Sequence, residues 1–427
     1  MYHKEKSIQI KSSASALYNN LSVLRIAPRS LTYFTVVHAN MVNMVSASWD
    51  GLNYSHRQLQ SKEANVTTSS SLIMQAAWCV LPSRDILVLT SQKGIQMYES
   101  DGSIMVYWHA LETPETPTAQ AVFARGIAAV REKYICVGIS SGSMLVFDVP
   151  SKGSNITLSE VLEEHKESIT DMASECSGSL ECIADMVSAD DSGNLCVWKS
   201  GEDFQLLNKI PGFDMSCSSV KLWKGTVVAG YGTGQIRLYE AVTGIVHAEV
   251  NAHARWIYSL DIAPFSGLLL SAAEDSLVRV WHLTMTPETN SVEIVHMYNE
   301  CVTDTQICGA KFCDGDGYAF AVTGYDLICL QQTDLAANSS EWRVREENLG
   351  RWHNGKHSTH HANRVNPLGG NSNVGRSYSE DRYTALSELQ GTSPCFNLTL
   401  PVTLPAVHSD GSHPTSDTSV AKGGAGK

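Results

Sequence analysis

The feature that most constrains this chain is a recurring segment: a strand-like run, a tight polar turn, and a second strand ending in an aromatic residue. It occurs as "LTSQKGIQMYE" (Leu89 to Glu99), "VGISSGSMLVFD" (Val137 to Asp148), "SADDSGNLCVWK" (Ser188 to Lys199), "AGYGTGQIRLYE" (Ala229 to Glu240) and "SAAEDSLVRVWH" (Ser271 to His282). The closing aromatics Tyr98, Phe147, Trp198, Tyr239 and Trp281 are 49, 51, 41 and 42 residues apart, near the roughly 40–45 residues of one four-stranded propeller blade. In "SLVRVW", Leu277, Val278, Val280 and Trp281 surround Arg279, so the strand is apolar on both faces, as burial between neighbouring sheets requires. Gly142, Gly193 and Gly234 stand five positions ahead of their aromatics, where a hairpin needs the positive φ that glycine tolerates.

Units of this kind fall at about 72–112, 119–149, 165–208, 213–250, 253–297 and 302–330, after a strand-rich opening at Leu21 to Ser48. Six units and an opening predict an all-β, seven-bladed β-propeller over residues 1–330. Ring closure removes free sheet edges, and the opening is expected to supply it by completing the last blade. Residues 331–427 are rich in Gly, Ser, Asn and Thr without sustained periodicity. Such composition buries too little apolar surface to offset ordering entropy, and a disordered tail is expected there.

Two units carry more than the repeat. His253 precedes Ser271, Asp275 and Trp281, and His165 precedes Ser188, Asp191 and Trp198. This pattern resembles the WD-repeat family, in which His, Ser or Thr, Asp and Trp tie one blade together by hydrogen bonds. Asp275 is six residues before its Trp, as the family has it, whereas Asp191 is seven before. Tyr98, Phe147 and Tyr239 replace Trp in the other units. The strings "GIQMYES", "MVYWHAL", "FARGIAA", "NAHAR" and "FAVTGYDL" are similar to the WD repeat-containing protein 54 family over residues 1–330. The chain departs from that family after "FAVTGYDL": the last strand should finish in an aromatic residue, and "ICLQQTDLAANSS" follows instead.

Charge narrows the partners. The net charge is −13, and the nine acidic and nine basic residues from 331 onward cancel, so the imbalance belongs wholly to the first 330 residues. An acidic body with no Lys/Arg cluster repels phosphate backbones, which argues against nucleic acid and against an anionic membrane surface. The first twenty residues lack the apolar run of a secretory signal, and eleven scattered cysteines form no disulfide framework. A cytoplasmic location is expected on those grounds.

No reaction is legible. "GISSG" places Ser140 in a G-x-S-x-G pattern, but a nucleophile elbow joins a strand to a helix, and the apolar strand "SMLVFDV" follows here. His253, Asp275 and Ser271 have the residue types of a catalytic triad and also those of the WD tie. "GYGTG" (Gly230 to Gly234) has no helix behind it to receive a phosphate. Cys301, Cys308 and Cys313, and His357, His360 and His361, lack zinc-site spacing, so no metal or cofactor is expected.

Rigid scaffolds place function on loops, which makes a non-catalytic protein-docking platform the expected role, with other proteins as partners and no small-molecule substrate. Self-association is left open. The candidate contacts are Lys166, Glu167, Arg255 and Trp256 at strand entries and Ser140, Asp191 and Glu274 in turns. A substrate-recruiting role in a ubiquitin ligase is the alternative, weakened because "WKSG" and "WHLT" lack the W-D-x-R string of such receptors.

Overall fold

A computed structural model describes residues 2–335 except 6, 49–52, 62–70, 113–121, 178–181, 287–290, 303, 326 and 328. From residue 336 onward the tail expected at 331–427, with the histidines at 357, 360 and 361, lies outside the described residues. Seven antiparallel sheets follow one another along the chain, making a seven-bladed β-propeller. The only helical element among the described residues is one turn of 3-10 helix at Ala27–Arg29.

Blade 6 shows the plan. Ile257–Ala263 is the inner strand, followed outward by Leu268–Ala273, Leu277–Met285 and Val292–Cys301. The first three strands are apolar because both faces are covered by neighbouring blades, and Val278, Val280, Leu269 and Leu270 are fully buried. The outer strand alternates toward solvent. Blades 1 to 5 begin at Ser22, Ile73, Ala124, Ile169 and Cys217, and blade 7 begins at Ile307. Gly142, Gly193 and Gly234 have φ of 91°, 80° and 83° in their hairpins, and Ser276 takes φ 65° at the equivalent place in blade 6.

The predicted role of the opening is corrected. Leu21 to Ser48 does not complete the last blade: Ser22–Ile26, Leu31–His38 and Met41–Ser48, joined by Tyr54–Gln60, form blade 1. Closure comes from the preceding residues. Tyr2–Lys4 and Ile8–Gln9 pair antiparallel with Cys329–Leu335, the third strand of blade 7. That strand runs five residues past the expected boundary at 330. The unit expected at 119–149 also continues, because Thr157–Leu162 is the outer strand of blade 3.

The missing closing aromatic has a physical substitute. Thr333 pairs with Phe320 as Trp281 pairs with Leu269. Tyr2, on the adjoining strand, packs its ring on Phe320 at 5.0 Å and on Tyr298 at 5.2 Å. Its hydroxyl donates to the Gly317 carbonyl at 2.5 Å.

Inner strands are also stitched from blade to blade. Side chains near a β-bulge accept backbone N–H groups from the next blade: Gln75 from Gly126, Asp171 from Val220, and Ser219 from Leu260. Asp261 accepts from Phe312 in the same way.

Candidate functional site

The two ties are built alike. Trp281 Nε1 donates to Ser271 Oγ at 3.0 Å, Ser271 Oγ lies 2.8 Å from His253 Nε2, and His253 Nδ1 is 3.1 Å from both Asp275 oxygens. A carboxylate only accepts, so Nδ1 carries the proton, and the imidazole is pinned between two partners. In blade 4, Trp198 Nε1 donates to Ser188 Oγ at 3.0 Å, which is 2.7 Å from His165 Nε2. The carboxylate there is Asp190, 2.9 Å from His165 Nδ1, and not Asp191.

That correction has a local cause. Asp190 ends its strand and also accepts the Ser192 and Asn194 N–H groups, so the one carboxylate holds both its turn and the histidine. The Asp191 backbone turns outward: its N–H donates to the Ser168 carbonyl, and its carboxylate accepts from Ser216 Oγ of the next blade at 2.8 Å. Burial alone would raise the carboxyls of Asp190 and Asp275, but hydrogen bonds from His165 and Asn194, and from His253 and Ala254, hold both below the usual carboxylate range.

Three of the candidate turn residues occupy one structural position. The first residue after the second strand donates its N–H to the carbonyl of the residue just before the inner strand of its own blade. The pairs are Gln92 to Leu72, Ser140 to Phe123, Asp191 to Ser168, Gly232 to Ser216, Glu274 to Trp256 and Tyr325 to Gln306, at 2.9 to 3.2 Å. Ser140, Asp191 and Glu274 therefore stand on the same end of the inner strands in blades 3, 4 and 6. Glu167 and Arg255 are likewise equivalent, each one residue ahead of such a carbonyl. Turns also lean on the next entry: a side chain on Gly142 would meet the His165 and Glu167 carbonyls, and one on Gly234 those of His253 and Arg255.

Lys166, Glu167, Asp191, Arg255 and Glu274 are exposed on this rim, while Ser140 is half-buried. Ser140 Oγ accepts the Phe123 N–H at 3.1 Å in a turn between two strands, and no helix follows it. Trp256 is not free surface. Its ring lies against Gly232, where a Cβ would come within 2.9 Å of it, and stacks on Tyr18 with centroids 6.2 Å apart. Tyr18, Asn19 and Arg125 carry no sequence pattern that marks them, yet Tyr18 lies between Trp256 and Arg125, and Asn19 bonds the Tyr258 carbonyl beside them. A cleft of about 380 Å³ between blades 1 and 2, lined in part by Leu59, Gln60 and Tyr98, holds no histidine, cysteine or carboxylate among the described residues. No cluster of metal-ligating side chains occurs among the described residues.

The family model described as WDR54 matches residues 1–334. This chain belongs to the WDR54 family. WD repeat-containing protein 54 of Mus musculus is 56% identical over 327 residues, which is 77% of this chain and 97% of the relative. The Homo sapiens protein is 55% identical with the same coverage. Among solved structures, a chain in "Crystal Structure of Mitotic Checkpoint Complex" superposes with a TM-score of 0.59 over 78% of this chain and 91% of its own length. At 16% identity that likeness concerns the fold alone. The WDR54-family propeller has no described helix long and apolar enough to cross a membrane.

Proposed function

We propose that this WDR54-family propeller is a non-catalytic scaffold that recruits other proteins through the rim of its channel mouth, within the cytoplasm. The observation that carries this reading is the repeated turn-to-entry hydrogen bond. It fixes the backbone beneath Lys166, Glu167, Asp191, Arg255 and Glu274 while their side chains stay exposed. A rigid backbone lowers the entropy lost on docking, and charged rim groups set orientation and encounter rate more than affinity. One solved propeller of like fold is part of the Mitotic Checkpoint Complex, which is in keeping with a recruiting role. A Lys166→Glu/Arg255→Glu protein should melt within about 1 °C of the parent, since exposed substitutions change stability by only about 0.5 kcal/mol. It should lose most partners in quantitative affinity purification, and an unchanged partner set would defeat the assignment to this rim.

A further inference from the structure

Residues 10–21, which lead from the closing strand to blade 1, reach well beyond their own blade. Asn19 Oδ1 lies 3.0 Å from the Ser219 hydroxyl of blade 5, which also reaches the Asp171 carboxylate at 3.2 Å, and 3.2 Å from the Ser259 hydroxyl of blade 6, which also reaches the Ala310 carbonyl at 3.0 Å. The Asn19 N–H donates to the Tyr258 carbonyl at 2.8 Å, and the Asn20 N–H to the Cys308 carbonyl of blade 7 at 3.0 Å. Asn20 Oδ1 accepts the Val37 N–H, and its amide donates to the Val37 carbonyl, in blade 1.

Tyr18 spans the mouth. The Arg125 guanidinium of blade 3 sits 4.4 Å from the centre of its ring. Trp256 stacks on it at an interplanar angle of 8°, and Tyr258 meets it edge-on at 5.0 Å. Among the described residues the Arg125 guanidinium makes no hydrogen bond or ion pair, and the Tyr18 ring face is the group it packs on. Among the described residues the shielded Trp256 indole N–H has no acceptor, so its side chain is held by ring contacts. Asn19 has φ 52°, a left-handed conformation that Asn adopts more readily than most residues, and it aims the carboxamide between two serines.

We propose that this mouth is a binding site for a tyrosine followed by a carboxamide residue, filled in cis by Tyr18 and Asn19, and that this occupancy closes the axial channel to external peptides. Arg125, Trp256 and Tyr258 take the ring, and Ser219 and Ser259 take the amide oxygen. The proposal deepens the rim reading by confining partners to the rim, yet its test involves no partner and so stands or falls separately.

The test is hydroxyl-radical footprinting of the full chain, read residue by residue. Trp256 and Tyr258 should oxidise far more slowly than the exposed Phe265 and Tyr318. In a Tyr18→Ala/Asn19→Gly protein, Trp256 oxidation should rise severalfold while Trp198 and Trp281 keep their protection, which also reports that the blades remain folded. A Tyr18→Phe protein, which keeps the ring, should behave as the parent. Rapid Trp256 oxidation in the parent, or unchanged protection in the double variant, would overturn the proposal. If the double variant loses Trp198 and Trp281 protection as well, amide exchange in the parent decides: slow exchange at Asn19 and Asn20 supports closure, and exchange as fast as in a free peptide refutes it.

Discussion

At the residue scale, one imidazole in each of two blades joins a turn to a strand. Removing a buried partner leaves the others unsatisfied, at about 1–3 kcal/mol. Asp190→Ala should therefore lower the denaturation free energy by about that much, while Asp191→Ala, on the exposed rim, should change it by about 0.5 kcal/mol or less. Urea titrations of the two proteins check this, and the reverse ranking would contradict the geometry. Asp190 and Asp275 also set an acid limit. Their folded carboxyls lose protons more readily than in the unfolded chain, so their contribution is complete above about pH 4 and disappears as pH falls through the lowered folded values. Melting temperature followed from pH 7 to pH 3 should fall less steeply for Asp275→Asn than for the parent, and equal slopes would count against the tie.

At the element scale, the hairpin turns are the least forgiving positions. A Cβ on Gly234 would stand 2.1 Å from the His253 carbonyl oxygen, at φ 83°. Gly234→Ala is expected to cost about 2 kcal/mol or more, combining left-handed strain with the clash, as calorimetry would show. The turn glycines and closing aromatics were legible in the sequence because buried strands and positive-φ turns each demand a narrow set of residue types. The outer strand of blade 3 and the closing strands were not. Thr157–Leu162 is mostly exposed, so no apolar period marks it, and Tyr2–Lys4 and Ile8–Gln9 are too short to stand out from a polar leader. The aspartate of the blade 4 tie was misplaced by one residue, since "DD" offers two carboxylates and only the turn geometry decides between them. The rim charges could be named from their place beside the turns. The Tyr18 contacts could not, because they join residues more than a hundred positions apart.

At the scale of the whole molecule, every blade shares both faces with neighbours, so no blade has an independent core. Unfolding followed by far-ultraviolet circular dichroism and by tryptophan fluorescence should give coincident transitions, and separated midpoints would show that some blades melt alone. Tyr2 is the point where this closure is most exposed to test: Tyr2→Ala should cost about 3–5 kcal/mol, as for other large buried aromatics, and thermal denaturation would read it. The pairing of residues 2–9 with residues 329–335 also sets an order of events during synthesis. At about 5–20 residues per second, roughly 15–65 s separate the emergence of the clasp from that of its partner strand. Throughout that interval the nascent chain presents unpaired strand edges to its surroundings, and its burden on chaperones is written into which end of the polypeptide carries the clasp.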